Sequence, residues 1–377
     1  MKGVLSTVAG YIKSTDRILW ALCLTTSLYG LLILFSTSGA TFGRDVQIQL
    51  IALILGLVTA IVLSLIDYRT LARFWPVLTV LGVGLVVLTF FIGIQREGAD
   101  DRAWIALPGN FATIQPTEFY KIAFIVTFAK HLDAVHENIN SWKTFGLLIA
   151  HACFPLLLIH LQGDDGTALV FFATALIMIF ASGIKLRYIG ALAGVGVVSI
   201  PIAWFFVLSD MQRTRILDVL LPSQGTQNST YQAWQGRVAI GSGQLFGRGL
   251  FNGPRTQGKL IPEVRNDFIF AGIGEELGFV GCILVIFLLF AICIRCLLIA
   301  RRASDPLGSS ICIGVFSILF IHTFINIGMC LSITPVIGIP LPFFSSGGSS
   351  MLSVMLLMGL LQSVYLHNRP GMFAEHL

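Results

Sequence analysis

The chain has 377 residues, of which 55% are hydrophobic and only 11% are charged, and its mean hydropathy is +0.85. Soluble domains are about 45–50% apolar and about 25% charged, so this composition excludes a soluble globular protein and indicates a polytopic membrane protein. The net charge of +5 matters less than the side of the membrane on which the basic residues fall.

Ten apolar stretches are long enough to cross about 30 Å of hydrocarbon. These predicted spans cover 18–37, 48–66, 75–94, 116–134, 144–161, 166–184, 189–208, 268–298, 309–331 and 349–366. The fourth and fifth are the least regular because Glu118, Lys121, Lys130 and His160 interrupt them. We therefore expect an all-α membrane protein of about ten spans that forms a single domain over 1–377.

The basic residues between the spans are unevenly distributed. One side has twelve: Lys2, Lys13, Arg17, Arg69, Arg73, Lys130, Lys143, Lys185, Arg187, Arg301, Arg302 and Arg369. The short loops of the other side have three: Arg44, Arg96 and Arg102. Positive loops stay in the cytoplasm, so both termini are predicted to be cytoplasmic, and the large 209–267 loop between spans seven and eight faces outward.

Outward segments near span four concentrate polar residues. The 95–115 loop contains Arg96, Asp100, Asp101, Arg102 and Trp104. Span four then begins with QPTEFYK at 115–121, where Glu118 and Lys121 are spaced to pair on one helix face. Two unpaired charges would cost about 5–7 kcal/mol in a membrane. The sequence leaves two interpretations of Glu118 and Lys121: a structural ion pair or part of a functional site. Asp164 and Asp165 in QGDDG, before span six, are further candidates on the same side.

The large outward loop is basic and rich in glycine. It carries seven cations, Arg213, Arg215, Arg237, Arg248, Arg255, Lys259 and Arg265, against Asp210, Asp218, Glu263 and Asp267. The glycines of 241–249 suit a backbone folded close to a ligand or to the membrane. Such a segment beside the outer leaflet favours an anionic head group such as a phosphate or pyrophosphate. The alternative is a solvated loop that happens to be basic.

The 261–281 segment, IPEVRNDFIFAGIGEELGFVG, brings carboxylates to the start of span eight. Asp267 precedes the apolar run, and Glu275 and Glu276 interrupt it about two turns later. A charge deep in a bilayer costs about 2.5–3.5 kcal/mol, so these acids need water, partners or a function. One interpretation is a polar helix cap with two acids facing a wet interior. The other is a catalytic or transport site at the membrane surface.

Other chemistries have little support in the sequence. There is no P-loop and no G-x-G-x-x-G motif, so ATP or GTP is not expected to drive the reaction, and no nucleic-acid partner is indicated. Cys293 and Cys296 form a C-x-x-C within an apolar span, where small buried hydrophobic residues are favoured over a metal or redox site.

An ordered set of motifs resembles the SEDS family (shape, elongation, division and sporulation), the RodA and FtsW glycosyltransferases. The motifs are 102–104 followed by QPTEFYK, then QGDDGTAL, YQAWQGRVAIGSG with GRG, NDFIFAGIGEELGF, and the 326–350 segment from NIGM to SSGGSS. NIGM and the short termini lean toward RodA. The chain departs from the family in QGDDG for QPDLG, PFFSSGG for PFxSYGG and RNDF for HTDF.

The resemblance implies a peptidoglycan glycosyltransferase that polymerises lipid II at the outer face of the cytoplasmic membrane and releases undecaprenyl pyrophosphate. It also implies a class B penicillin-binding protein and other elongation or division proteins as partners. A divalent cation, Mg or Mn, supports activity in the family, but no ligand cluster is visible in the sequence. A lipid II flippase and an inactive scaffold are the alternatives.

The resemblance also assigns the site. Asp267 matches an essential position and is expected to be the general base on the acceptor hydroxyl. Because a pyrophosphate leaves readily once cations meet its charge, one base plus cations is sufficient. The expected substrate-binding residues are Arg102, Trp104, Glu118, Lys121, Asp164, Arg265, Ser345 and Gly347. We expect Arg102, Glu118, Lys121 and Asp267 to line a groove in the outer half of the bundle.

Overall fold

The computed structural model describes residues 10–95, 102–220 and 228–368 and is a helical bundle. Helices occupy all ten predicted spans: Arg17–Thr37, Arg44–Leu65, Trp75–Ile92, Pro116–Ala134, Trp142–His160, Asp165–Ala181, Leu186–Ile202, Ile269–Arg302, Pro306–Cys330 and Gly348–His367. Within the described ranges, eight helices are long and apolar enough to cross a membrane. Span four, which carries charges, and span six, of 17 residues, complete the ten.

Short elements connect these spans. A two-stranded antiparallel sheet pairs Ile105–Ala106 with Thr113–Ile114 ahead of span four. A π-helical turn, Ala203–Val207, extends span seven. The remaining pieces are the helices Tyr68–Arg73, Asp210–Leu220, Asn228–Ser242 and Pro254–Gln257 and the 3-10 turns Pro108–Asn110 and His136–Asn138. The 209–267 loop is therefore partly helical where it is described.

Local signals in the sequence set several span boundaries. Pro116 occupies the first turn of span four, where its missing N–H costs nothing. Asp164 caps span six by accepting a hydrogen bond from the Thr167 N–H at 2.9 Å. Asp305 caps span nine through the Gly308 N–H at 2.7 Å. Each cap satisfies an N–H that has no partner within its own helix.

The core lies between spans two, four, eight, nine and ten, and span ten is the most deeply buried of the candidate spans. Span seven is peripheral, since Tyr188 is the one buried residue recorded along it. The chain thus has a tightly packed inner bundle, in which polar side chains must find partners within the protein.

Span eight is broken at Gly278, whose φ of 65° and ψ of −158° are not helical. The 244–249 segment fills the break. The N–H groups of Phe279 and Val280 donate to the Gln244 and Leu245 carbonyls at 2.8 and 3.1 Å. The Arg248 N–H donates in turn to the Glu275 carbonyl at 3.0 Å. The glycines of this loop therefore bring its backbone against span eight.

Replacing Gly278 with alanine should destabilise the protein. Its backbone lies in a region that only glycine readily adopts, and an added Cβ would stand 2.7 Å from the Leu245 carbonyl carbon. The strain alone is worth about 1–3 kcal/mol. We expect a lower thermal midpoint by differential scanning fluorimetry in detergent.

The matched control is Gly241→Ala, because a Cβ there meets nothing within 4 Å inside the Asn228–Ser242 helix. Alanine exceeds glycine in helix propensity by about 1 kcal/mol, so this variant should be unchanged or slightly stabilised. Equal midpoints for the two variants would contradict the assigned break.

Candidate functional site

Asp267 lies at the start of span eight, in the turn that runs into the helix. Its side chain is half-buried, and the N-cap of the helix is the next residue, Phe268. The first turn of the helix holds no acidic residue. Asp267 is thus one position outside the cap, and a simple capping role does not describe it.

Three consecutive backbone carbonyls fix the segment that carries Asp267. The Arg265 carbonyl accepts from the Ser346 N–H at 2.8 Å, and the Asn266 carbonyl accepts from the Ser345 hydroxyl at 2.6 Å. The Asp267 carbonyl accepts from Asn326 Nδ2 at 2.9 Å. The donors come from span nine and from the 334–347 segment, so the base candidate is held from its backbone side.

Ser345 and Gly347 serve as anchors of this segment. Ser345 Oγ accepts from the Leu341 N–H at 2.8 Å while it donates to Asn266. Gln49 of span two binds both ends of the turn, donating to the Ser345 carbonyl and accepting from the Gly347 N–H, each at 3.1 Å. In this structure the two residues contact backbone and Gln49; their predicted contact with substrate stays a prediction.

Replacing Ser345 with alanine should lower stability and also the glycan synthesis that the family resemblance implies. The variant leaves the buried Leu341 N–H and the half-buried Asn266 carbonyl without their partners, at about 1–3 kcal/mol for a fully buried group. If Asp267 is the general base that the resemblance implies, movement of its backbone should slow the reaction about tenfold or more, because small misplacements of a catalytic group are costly. Thermal midpoints and initial rates of polymerisation measure the two effects.

Ser346→Ala is the control for Ser345→Ala. Ser346 contacts the Arg265 carbonyl through its backbone N–H, which alanine retains. We expect wild-type stability and rate for this variant. A Ser345→Ala protein that matches the Ser346→Ala protein in both measurements would refute the anchoring role.

Glu118 and Lys121 form a buried ion pair in the first turns of span four. Lys121 Nζ lies 2.8 Å from Glu118 Oε1, and each residue is 3% exposed. The other Glu118 oxygen accepts from the Ser353 hydroxyl of span ten, and Lys121 Nζ lies 3.3 Å from Nε2 of His322 on span nine. Three spans therefore converge on this pair, which faces the protein interior.

Asp164 lies beside the same region. Gln115 Nε2, just before span four, donates to Asp164 Oδ2 at 3.1 Å, while Oδ1 caps span six. Burial raises the pKa of the Asp164 carboxyl, although its hydrogen bonds to Thr167 and the positive charge of Lys121 oppose this. Asp164 thus links the starts of spans four and six.

Asp165, which stands where the family has leucine, has a separate role. Its carboxylate is bonded to His160 Nδ1 and to Gln212 Nε2 of the Asp210–Leu220 helix. The extra acid therefore ties the 209–267 loop to the end of span five and the start of span six.

The predicted cations occupy different surroundings. Arg265 is half-exposed, and its guanidinium contacts the Asp45 carboxylate at 3.1 Å and the Thr37 carbonyl at 3.4 Å. Arg102 is exposed, and its backbone N–H donates to the Gln162 carbonyl at 3.4 Å. The Trp104 carbonyl accepts from the Ile94 N–H at 2.7 Å. Arg96, Asp100 and Asp101 lie outside the described residues.

Glu275 and Glu276 accept hydrogen bonds from protein groups, whereas one interpretation of the sequence placed them facing a wet interior. Glu275 accepts from the N–H groups of Arg255 and Thr256 at 3.0 and 2.8 Å, at the start of the Pro254–Gln257 helix. Glu276 accepts from Gln257 Nε2 at 2.7 Å and from the Ser36 hydroxyl. Their partners are polar groups of the folded loop and of span one.

Among the described residues, no group of three or more His, Cys, Asp or Glu side chains is arranged to hold a metal ion. The described residues therefore supply fewer protein ligands than a closed divalent-cation site needs.

Sequence reasoning missed Gln49, Asp45, His322 and Asn326. His322 and Asn326 carried a usable signal, since polar residues four apart inside an apolar span lie on one face and need buried partners. Gln49 gave a similar but isolated signal in span two. Asp45, at the exposed start of span two, gave none.

Comparison with known proteins gives consistent relatives. The family described as "Cell cycle protein" (FTSW_RODA_SPOVE) matches residues 16–370. "Peptidoglycan glycosyltransferase MrdB" of Escherichia coli is 33% identical over 356 residues, which is 94% of both chains. "Probable peptidoglycan glycosyltransferase FtsW" of Geobacter metallireducens is 32% identical over 363 residues, covering 94% of this chain and 95% of its own.

Solved structures share the fold. A chain from "Structural coordination of polymerization and crosslinking by a peptidoglycan synthase complex" aligns with a TM-score of 0.79 at 25% identity, over 95% of this chain and 99% of its own. The rod shape determining protein RodA of Thermus thermophilus aligns with a TM-score of 0.69 at 24% identity, over 95% and 98% of the two chains.

Proposed function

We infer the reaction in detail from one premise: the chain belongs to the FtsW, RodA and SpoVE family and is a peptidoglycan glycosyltransferase. It is a multi-span membrane protein. We propose that its substrate is lipid II and that polymerisation takes place at the outer face of the cytoplasmic membrane. The excess of basic residues on the side of both termini supports this orientation.

The observation that carries the proposal is the position of Asp267. Its backbone is anchored by Ser345, Ser346 and Asn326 at the end of an apolar span, where a lipid-linked sugar would lie. Its carboxylate takes the proton of the GlcNAc 4-hydroxyl of the incoming lipid II. The oxygen attacks the anomeric carbon of the terminal MurNAc of the growing chain, the bond to pyrophosphate breaks, and the α-linkage becomes β.

Cations stabilise the leaving pyrophosphate in this proposal. Arg265 is two residues from Asp267 and half-exposed, and its bonds to Asp45 and Thr37 orient the guanidinium. A planar guanidinium with five N–H donors can hold these partners and still contact a phosphate. Arg102 lies on the outward surface, and Lys121 contributes from the interior of the bundle. A divalent cation brought by the pyrophosphate remains compatible with this arrangement.

A class B penicillin-binding protein, which would crosslink the product, is the proposed partner. Support comes from the solved neighbour, which is described as part of a complex that coordinates polymerization and crosslinking. Assignment to elongation rather than division is favoured by the similarity to MrdB and RodA.

Purified protein supplied with lipid II on its accessible face provides the test. A polymerase forms glycan strands and releases undecaprenyl pyrophosphate without any transport step. A flippase moves lipid II between leaflets of a vesicle and forms no strands, and a scaffold does neither. If folded protein, supplied with lipid II and mixed with its partner, forms no glycan strands, the proposed function is rejected.

A further inference from the structure

His322 has no assigned role, yet it contacts two parts of the site. It lies on span nine and is 6% exposed. Its Nδ1 is 3.2 Å from the Pro340 carbonyl oxygen, and its Nε2 is 3.3 Å from Lys121 Nζ. A carbonyl oxygen only accepts and an ammonium only donates. The contacts therefore assign the proton to Nδ1 and leave Nε2 to accept from Lys121.

This tautomer lets His322 direct the Lys121 ammonium. Of its three N–H donors, one meets Glu118 Oε1 and another meets the His322 Nε2. The two partners belong to different spans, so together they fix the direction of the third donor. Glu118 is itself fixed by the Ser353 hydroxyl.

Span nine continues the connection toward Asp267. Asn326 is four residues after His322 and lies on the same helix face. Its Nδ2 donates to the Ile339 carbonyl at 2.7 Å and to the Asp267 carbonyl at 2.9 Å. His322 and Asn326 thus bind the adjacent carbonyls of Pro340 and Ile339, and one rigid helix face joins Lys121 to Asp267.

We propose that His322 is a positioning residue of the glycosyltransferase site, which holds the Lys121 ammonium in a fixed relation to Asp267. This rests on the proposed function, in which Lys121 meets the pyrophosphate charge and Asp267 takes the proton. The Glu118–Lys121 pair can form without His322, but the third N–H donor of Lys121 then has no fixed direction. Loss of this fixed donor direction lowers the rate of the reaction more than it lowers the affinity for lipid II.

The test compares His322→Phe, His322→Met and His322→Gln in the full chain. Glutamine can donate to Pro340 and accept from Lys121, whereas phenylalanine and methionine fill the space without either bond. Initial rates of glycan synthesis are measured against lipid II concentration and normalised to folded protein from size-exclusion chromatography. We expect kcat to fall at least about tenfold for Phe and Met with KM within about threefold, and Gln to retain at least a third of wild-type kcat.

Thermal midpoints of all variants are recorded together with His131→Phe. His131 is another span histidine, and its partner is His151. If Phe does not fold, the comparison of Met with Gln decides. Equal kcat values for His322→Met and His322→Gln overturn the proposal. It is also overturned if His131→Phe lowers kcat as much as His322→Met does. A wild-type protein that forms no glycan would instead reject the proposed function.

Discussion

Asp267→Asn is expected to lower glycan synthesis by at least about 10²-fold while folding and membrane insertion remain unchanged. Asparagine keeps the shape of the side chain and most of its hydrogen bonding, but it cannot accept the proton of the acceptor hydroxyl. The contacts that place this residue use its backbone carbonyl and those of its two preceding neighbours, all of which the variant retains. The measurement is strand formation from lipid II by equal amounts of folded wild-type and variant protein.

Asp210→Asn is the matched control for this experiment. Asp210 is a carboxylate of the same 209–267 loop, it lies at the start of the Asp210–Leu220 helix, and its side chain is fully exposed. Its replacement should leave the rate unchanged, because its contact is an exposed ion pair with Arg213, and such pairs contribute little to stability. Near-normal synthesis by Asp267→Asn would end the assignment of Asp267 as the base.

The spans could be predicted because membrane insertion imposes a simple requirement on the sequence. A stretch of about 20 apolar residues must be helical to satisfy its backbone in lipid. Helix boundaries followed for similar local reasons, as at Pro116 and Asp164. Even span four, interrupted by charges, was predictable, because Glu118 and Lys121 have a spacing that allows them to pair.

The anchoring of Asp267 could not be predicted in this way. Ser345 and Asn266 are 79 positions apart, and Asn326 and Asp267 are 59 apart. No local pattern states which distant donor meets a given carbonyl. Glu276 is a further example, because one of its partners is Ser36, 240 positions away. The sequence therefore indicated that these acids needed partners without indicating which ones.

Lys121→Met is expected to destabilise the protein by about 3–5 kcal/mol, because it leaves the Glu118 carboxylate buried without its cation. Glycan synthesis should be lost as well, but an unstable protein would lose it for either reason. The single variant therefore cannot separate a structural ion pair from a functional lysine.

The double variant Glu118→Gln with Lys121→Met separates the two roles. Removing both charges takes away the uncompensated carboxylate, and replacement of a buried ion pair by neutral residues is often neutral or stabilising. Glutamine still presents an oxygen to the Ser353 hydroxyl. The thermal midpoint of the double variant should return close to the wild-type value.

Synthesis by this restored protein then tests the charges of the Glu118–Lys121 pair separately from stability. If its ammonium meets the developing charge on the pyrophosphate, the rate should remain at least about tenfold below wild type despite normal stability. If the pair only holds spans four, nine and ten together, activity should return with the thermal midpoint. A second double variant, Lys130→Met with Asp133→Asn, removes a half-exposed pair of the same spacing on the same span and should keep both properties. Because this control lies near the other end of span four, a loss confined to the Glu118 and Lys121 variant locates the effect at the start of the span, beside Asp164 and His322.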